Sequence, residues 1–304
     1  MSGITVLAEG LKFPEGPISM ADGSVLLVEI ARGTLTRVNR GKVEVVAELG
    51  GGPNGAAIGP GGDVYVCNNG GFQWIERNGC LYPGEEPENY AGGRIERVNL
   101  KAGKSEVLYT HCQGQPLRGP NDLVFDRYGG FWFTDHGKTR RRERDRTGVF
   151  YAKADGSFIR EVLFPLEGPN GIGLSPTGDE LYVAETMTGR VWAWAIAEPG
   201  VLKHERRDRP DGGRLLKGRP GYFLFDSLAV DARGNVCVAT IVDGGITVLS
   251  PHGDAPGFVP MPDPLTTNIC FGGKDMQTAF VTLSSVGQLV STPWATPGLR
   301  LNHQ

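Results

Sequence analysis

The chain has 304 residues with 31 Lys and Arg against 34 Asp and Glu, a net charge of −3, so it offers no basic surplus for neutralising nucleic-acid phosphates. Its longest apolar run, VWAWAIA, is too short to span a bilayer, and the opening MSGITVLAEG lacks the basic stretch and apolar core of a signal peptide. A cytoplasmic protein without membrane or nucleic-acid partners is expected. With 46 Gly, 21 Pro and no long stretch of helical periodicity, the composition predicts an all-β chain.

One unit recurs along the sequence: a polar lead residue, a short apolar strand, a tight turn and a second apolar strand. It appears first in FPEGPISMADGSVLLVEI, led by Glu15 and turning at Asp22-Gly23, and next in GGPNGAAIGPGGDVYVCN, led by Asn54. RGPNDLVFDRYGGFWFTDH follows with Asn121, then GPNGIGLSPTGDELYVAET with Asn170. In the latter, Gly171 to Ser175 and Glu180 to Ala184 are predicted strands around a Pro176 to Asp179 turn. FDSLAVDARGNVCVAT is led by Asp226 and TTNICFGGKDMQTAFVTLS by Asn268. Every lead residue is a carboxylate or an amide.

After most hairpins come further strand-like runs, such as TLTRVNR and KVEVVAEL or GRIERVNL and KSEVLYT. Each repeat therefore spans roughly 40–50 residues, the length of a radial four-stranded blade. The sixth repeat ends at QLVSTPW, one strand short, and the run ITVLAEG ahead of Glu15 can supply that strand and close the ring without an open edge. One closed array covering residues 1–304 is the expected organisation.

The longest interval, between Asn54 and Asn121, holds the surplus FQWIERNGCLYPGEEPENYAGG, Phe72 to Gly93. It leaves the second strand at the end where the lead residues sit, so it should fold over the channel mouth. Phe72, Trp74, Leu81 and Tyr82 suit a lid that contacts an apolar part of a substrate; a decorated surface loop is the alternative. The same mouth should receive the residues leaving each second strand, among them Asn69, Asp135 and His136. His136 is a candidate for bonding substrate or moving a proton, with a structural histidine as the alternative. The run KTRRRERDR, Lys138 to Arg146, alternates basic and acidic residues and is expected to be a solvated loop, with capture of an anion as the alternative.

Several catalytic patterns fail. Gly50, Gly52 and Gly55 satisfy GxGxxG, yet a strand follows where a dinucleotide site needs a helix. There is no GxSxG elbow, and the five histidines show no HExxH or HxH spacing. The five cysteines contain no CxxC pair and are expected to be reduced.

What remains is the set of lead residues. In a radial array the equivalent positions of the repeats lie at one end of the central channel, so six polar side chains converge there. Asn and Asp at such points also serve as plain turn formers. Six in register, with Glu15 and Asp226 among them, point instead to a hard divalent cation, because gathered carboxylates need a counter-charge.

Glu15 in FPEGP, Asn121 in GPND, Asn170 in GPNGIG, Asp226 in DSLAVDARGNVCVA, and the late TNICFGG with VTLSS resemble the gluconolactonase family that includes senescence marker protein 30. The resemblance covers nearly the whole chain. It implies a six-bladed β-propeller that holds one divalent cation on its axis and hydrolyses lactones. Glu15, Asn170 and Asp226 would be the metal ligands, with Asn121 beside them as a fourth ligand or substrate contact. The cation would be calcium, zinc, manganese, magnesium or ferrous iron. Phe225-Asp226-Ser227 stands where the family often has Pro-Asp-Gly, and Arg118 sits one place further from Asn121 than the substrate-binding Arg of the animal proteins.

A cation held by three or four protein oxygens keeps positions for water and substrate, so it can polarise a lactone carbonyl and acidify water. Asp226 is the candidate general base, and Asn121 the candidate partner of the developing oxyanion. Arg118, His136, Asn54, Phe72 and Trp74 are candidate contacts to a small-molecule lactone. Hydrolysis of another ester or a phosphotriester on the same metal, and a non-catalytic binding propeller with a structural ion, are the competing functions.

Overall fold

The computed structural model describes residues 3–205, 207–218, 221–252 and 257–304. Six antiparallel sheets follow one another along the chain. Blade 1 comprises Pro14–Ser19, Val25–Glu29, Thr34–Asn39 and Lys42–Glu48, paired in that order. Blade 2 comprises Pro53–Ile58, Val64–Asn68, Arg94–Asn99 and Lys104–Tyr109; blade 3 comprises Pro120–Phe125, Gly130–Asp135, Thr147–Lys153 and Ile159–Leu166. In blade 4, Pro169–Leu174, Glu180–Glu185 and Arg190–Glu198 are followed by two pieces, Val201–Leu202 and Arg214–Gly218, which both pair with the third strand. Blade 5 is Leu224–Val230, Val236–Ile241, Gly245–Leu249 and Gly257–Pro260. Blade 6 is Thr266–Gly272, Thr278–Leu283, Gln288–Pro293 and the N-terminal Thr5–Ala8.

The architecture is therefore a six-bladed β-propeller, as the repeats imply. Thr5 lies opposite Ser291 and Val6 opposite Val290 in an antiparallel register, so the first strand closes the last blade. Among the described residues there is no α-helix, only a single 3₁₀ turn at Pro60–Gly62.

The apolar core is divided into six clusters, one in each wedge between neighbouring blades. Aromatic residues fill the wedges on both sides of blade 3: Tyr65, Phe125, Phe131 and Phe133 on one side, Trp132, Tyr151, Trp192 and Trp194 on the other. Wide residues suit the outward taper of a radial array and leave the axis free for polar groups. Burying each blade's two faces against its neighbours satisfies the hydrophobic requirement without a central core.

The lead residues lie inside the first strands, one place beyond where the hairpin pattern puts them. Each of Pro14, Pro53, Pro120 and Pro169 begins its strand, a position where the missing N–H costs no ladder bond, and the polar residue comes second. In every blade the register shifts at this point, for example between Pro120 and Leu123 and between Pro169 and Ile172. Such bulges re-aim a side chain, here toward the axis.

The far end of the channel is plugged by a segment to which the sequence pattern assigns no role. Leu299 N donates to Val230 O (3.0 Å), Asn302 Nδ2 to Phe125 O (2.9 Å) and Gln304 Nε2 to Ser19 O (3.1 Å). The inner strands of blades 5, 3 and 1 are thereby tied together beneath an apolar cavity of about 80 Å³ lined by Leu123, Ile172, Leu228 and Ile269.

Candidate metal centre

Close approach of the inner strands brings the lead residues together. A Cβ on Gly55 would lie 2.4 Å from the Asn121 carbonyl oxygen, and one on Gly171 would lie 2.6 Å from Leu228 N and 2.7 Å from Asp226 O. Only glycine after Asn54 and after Asn170 lets each next blade's backbone come this near. All six lead residues are buried.

Their polar atoms are not equally committed. Asn54 is fully engaged with protein: its Oδ1 accepts from Asn69 Nδ2 (3.0 Å) and its Nδ2 donates to Asn121 O (3.2 Å). Asn268 is likewise engaged, donating to Glu15 Oε2 (2.7 Å) and accepting from Ile269 N (2.8 Å). Asn121 Oδ1, by contrast, is buried without a hydrogen-bond partner. Asn170 Oδ1 receives only a long contact from Ser227 Oγ at 3.5 Å.

The carboxylates are strained by burial. Glu15 is pushed up to about 7 by desolvation, against hydrogen bonds from Asn268, Thr267 and Gly16 that favour its charged form. Asp226 is pushed well above the usual carboxylate range, first by burial and then by the charge of Glu15. Asp122, which sequence reasoning missed, is also raised to about 7 by burial and by Glu15. Its signal was a carboxylate in the slot that glycine fills after Glu15, Asn54 and Asn170.

None of these three carboxylates forms an ion pair among the described residues. No group of three or more His, Cys, Asp and Glu among the described residues is arranged as a metal site by those residue types alone. A cation here would depend on carboxylates mixed with amide oxygens. An orphaned buried amide oxygen beside uncompensated carboxylates fits a hard cation, which accepts an all-oxygen shell.

The raised carboxyls set the pH response of the cation-free chain. Folded Glu15 keeps its proton to about 7, whereas the unfolded chain releases it near 4.5, so the native state binds the extra proton between those values. That stabilisation is complete below the unfolded value and is lost as pH rises through about 7. Cation-free protein should therefore unfold on the order of 5 °C lower at about pH 8 than at about pH 5, and a saturating divalent cation should reverse the trend. Thermal scans across that range check this; a flat midpoint contradicts it.

Around this ring lie the remaining candidates. Arg118 is exposed on the rim, its backbone N donating to Asp135 Oδ2 (2.7 Å) and its carbonyl accepting from Tyr90 Oη. His136 is half-buried, with Nε2 3.1 Å from Arg144 Nη2, and is pushed down to about 3 by desolvation and by the charges of Arg144 and Lys138. A ring that is neutral at ordinary pH cannot report its own titration in turnover. His136→Asn is expected to leave the shape of the pH–rate profile between about pH 5 and 9 unchanged; loss of an inflection would restore the proton-transfer role.

The insert spans the same end of the propeller. Trp74–Arg77 and Cys80–Pro83 form a hairpin whose Leu81 N donates to Ser285 O of the blade 6 connection (2.9 Å). The Trp74 ring lies tilted at 5.1 Å from Phe13, the residue just before blade 1, and edge-on at 5.8 Å from Phe72. On the opposite side Glu86 N donates to Thr139 O (2.9 Å), and its carboxylate pairs with Arg140 at 2.7 Å.

These contacts correct the expectation of a solvated loop in part: Thr139, Arg141, Arg142, Glu143 and Arg146 are exposed as expected, whereas Lys138 is buried and Arg140, Arg144 and Asp145 are partly covered. Lys138 is 1 % exposed, donates to Gly71 O and to Asn69 Oδ1 (3.3 Å), and lies 4.3 Å from the centre of the Phe72 ring. Burial pushes its ammonium down to about 7. Arg140 joins Glu86 to Asp145. The run is one half of a docked pair of insertions, which local charge alternation does not reveal. The five cysteines are free, as expected.

A closed ring of six antiparallel blades with a polar, oxygen-rich axis defines this molecule as a six-bladed β-propeller. The sequence pattern described as the SMP-30/Gluconolactonase/LRE-like region matches residues 13–285, and the chain belongs to that family. It is 26% identical to a gluconolactonase of Zymomonas mobilis, with 92% of this chain and 79% of the relative covered. It is also 26% identical to lactonase drp35 of Staphylococcus epidermidis, over 84% of this chain and 69% of the relative. Its fold is shared with a calcium-binding protein, regucalcin, of Agrobacterium tumefaciens at a TM-score of 0.76 and 18% identity, covering 99% and 98% of the two chains. No described helix is long and apolar enough to cross a membrane.

Proposed function

We propose that this chain opens lactone rings by hydrolysis at a divalent cation held on the propeller axis by Glu15, Asn170, Asp226 and Asn121. The observation that carries this reading is the buried, uncompensated pair Glu15 and Asp226 beside the unpartnered Asn121 Oδ1. Membership of the family and the two lactonase relatives support the substrate class. When bound, the cation supplies Lewis acidity toward the ester carbonyl and stabilises negative charge on oxygen.

The protein's own groups do the rest. Asp226 takes a proton from the attacking water as its oxygen adds to the carbonyl carbon. The Asn121 carboxamide donates an N–H to the developing oxyanion. When the ring C–O bond breaks, the same proton passes from Asp226 to the departing alkoxide, so the product is a hydroxy acid. Asn54 and Asn268 hold Asn121 and Glu15 in place through the hydrogen bonds above. Phe72, Trp74 and the rest of the insert exclude bulk water and contact the apolar part of the substrate; Arg118 waits at the rim.

Protein stripped of metal and then supplied with calcium, magnesium, manganese or zinc should open sugar or aliphatic lactones at least about ten times faster, by kcat/KM, than aryl esters or phosphotriesters. Absence of lactone opening with every cation, or faster turnover of phosphotriesters, would overturn the proposal.

A further inference from the structure

The buried Lys138 has no part in the chemistry above. It lies just beyond the second strand of blade 3, Gly130–Asp135, and forms no ion pair among the described residues. The carboxylates whose charge reaches it are committed elsewhere. Asp135 accepts from the backbone N–H groups of Arg118, Gly119 and Gly137, while Glu86 and Asp145 pair with Arg140. The ammonium instead donates to Gly71 O and to Asn69 Oδ1 (3.3 Å), and the rings of Phe72 and Tyr90 stand 4.3 and 5.5 Å from it. An apolar side chain would fill the same space without the cost of desolvating a charge. What only the lysine supplies is a donor aimed at Asn69.

From Asn69 the bonds run inward to the axis. Asn69 Oδ1 also accepts from Gly71 N (2.8 Å), Asn69 Nδ2 donates to Asn54 Oδ1 (3.0 Å), and Asn54 Nδ2 donates to Asn121 O (3.2 Å). The sense of every link is forced. Gly71 N can only donate and Lys138 donates beside it, so the atom facing both is the Asn69 oxygen and the Asn69 nitrogen turns to Asn54. Asn54 meets that nitrogen with its oxygen, which leaves its own N–H for the Asn121 carbonyl. The same assignment follows from the axial end, where Asn121 O can only accept. Bonds in such a line polarise one another, and a charged donor at its head strengthens those behind it. The line ends on the backbone of Asn121, whose side-chain Oδ1 has no partner of its own, so the aim of that side chain is set through the backbone.

We propose that Lys138 is a positioning residue of the axial ring: acting through Asn69 and Asn54, it fixes the Asn121 backbone and with it the aim of the Asn121 carboxamide at the reacting lactone. The effect on turnover rests on the lactonase reading; the relay itself does not. Asn69 and Gly71 precede the Phe72 to Gly93 insert, so the relay belongs to the blades and the insert only covers its head.

The test is a double-mutant cycle of Lys138→Met with Asn54→Ala, read at saturating cation on a lactone that wild type opens. Lys138→Met should lower kcat about tenfold, the scale of losing a supporting partner, with KM within about twofold, because the Asn121 N–H acts on charge that develops only in the transition state. In the Asn54→Ala background the same substitution should change kcat by less than about twofold, since the line is already cut. Losses that multiply would show a packing role independent of the relay and overturn the proposal, as would an unchanged kcat in Lys138→Met. Should Lys138→Met not fold, Asn69→Ala takes its place in the cycle with the same expected outcomes. A second arm needs neither cation nor turnover. The Asn54 side-chain amide resonances of metal-free protein should shift in Lys138→Met and stay in place in Arg140→Met, which alters the same connection but leaves the relay intact. If no lactone is opened but this shift is seen, the relay stands and the lactonase reading falls; resonances unmoved by Lys138→Met remove the relay.

Discussion

Asp226→Ala and Glu15→Ala should each empty the axial ring of its cation and lower lactone turnover by roughly a thousandfold or more, the scale of losing the principal charge-stabilising group of a site. Each substitution removes one of two carboxylates from a ligand set otherwise made of neutral amides. Neither should harm folding of the cation-free chain. Both carboxyls are pushed up by burial and have no ion pair, so deleting one relieves buried negative charge, which for Glu15 offsets the loss of its hydrogen bonds from Asn268 and Gly16. Asn268→Ala serves as the contrast, because Asn268 only orients Glu15 through the 2.7 Å bond to Oε2. It should keep the cation and weaken its binding by about 10–100-fold, as loss of a supporting partner does. Elemental analysis with kinetics on the three variants decides the matter; full occupancy in Asp226→Ala would remove Asp226 from the ligand set.

Replacing Phe72 to Gly93 by a short Gly-Ser link should raise KM for bulky lactones by about tenfold or more while leaving the cation in place, because loops of this kind carry substrate contacts on a rigid scaffold. The deletion removes the Glu86 partner of Arg140, the Phe72 face over Lys138 and the Leu81 bond to Ser285. It leaves the bulges that aim the lead residues untouched. With its cover gone, the Lys138 ammonium regains water, so the cost in stability should be modest. Kinetics unchanged across a panel of small and bulky lactones would show that the insert has no part in the site.

The blade repeat was legible because each inner hairpin carries the same punctuation, Pro or another opener, a polar residue and a Gly/Asp turn, at equivalent points. Strand closure was legible for a related reason: the sixth repeat lacks an outer strand and ITVLAEG is left over. The position of each lead residue within its strand was not, because a bulge depends on pairing and not on local pattern. Asp122 hid behind Asn121, one carboxylate in a series of glycines. Lys138 and Arg144 were hidden by their own neighbourhood. Eight charged residues within KTRRRERDR suggest solvent, and nothing local shows that Phe72 and Gly168, far away in sequence, pack on Lys138 and Arg144 or that Glu86 pairs with Arg140 between them. The polar segment that plugs the channel has no period at all; it is placed by backbone carbonyls of three different blades.

The most direct test of the axial centre is a titration of metal-stripped wild type with calcium or manganese while bound metal and lactone turnover are read on the same samples. Turnover should be near zero without cation and rise in proportion to occupancy, levelling off at one cation per chain. Undiminished lactone opening by the stripped protein, or a tightly bound cation whose removal leaves turnover unchanged, would contradict the proposed role of Glu15, Asn121, Asn170 and Asp226.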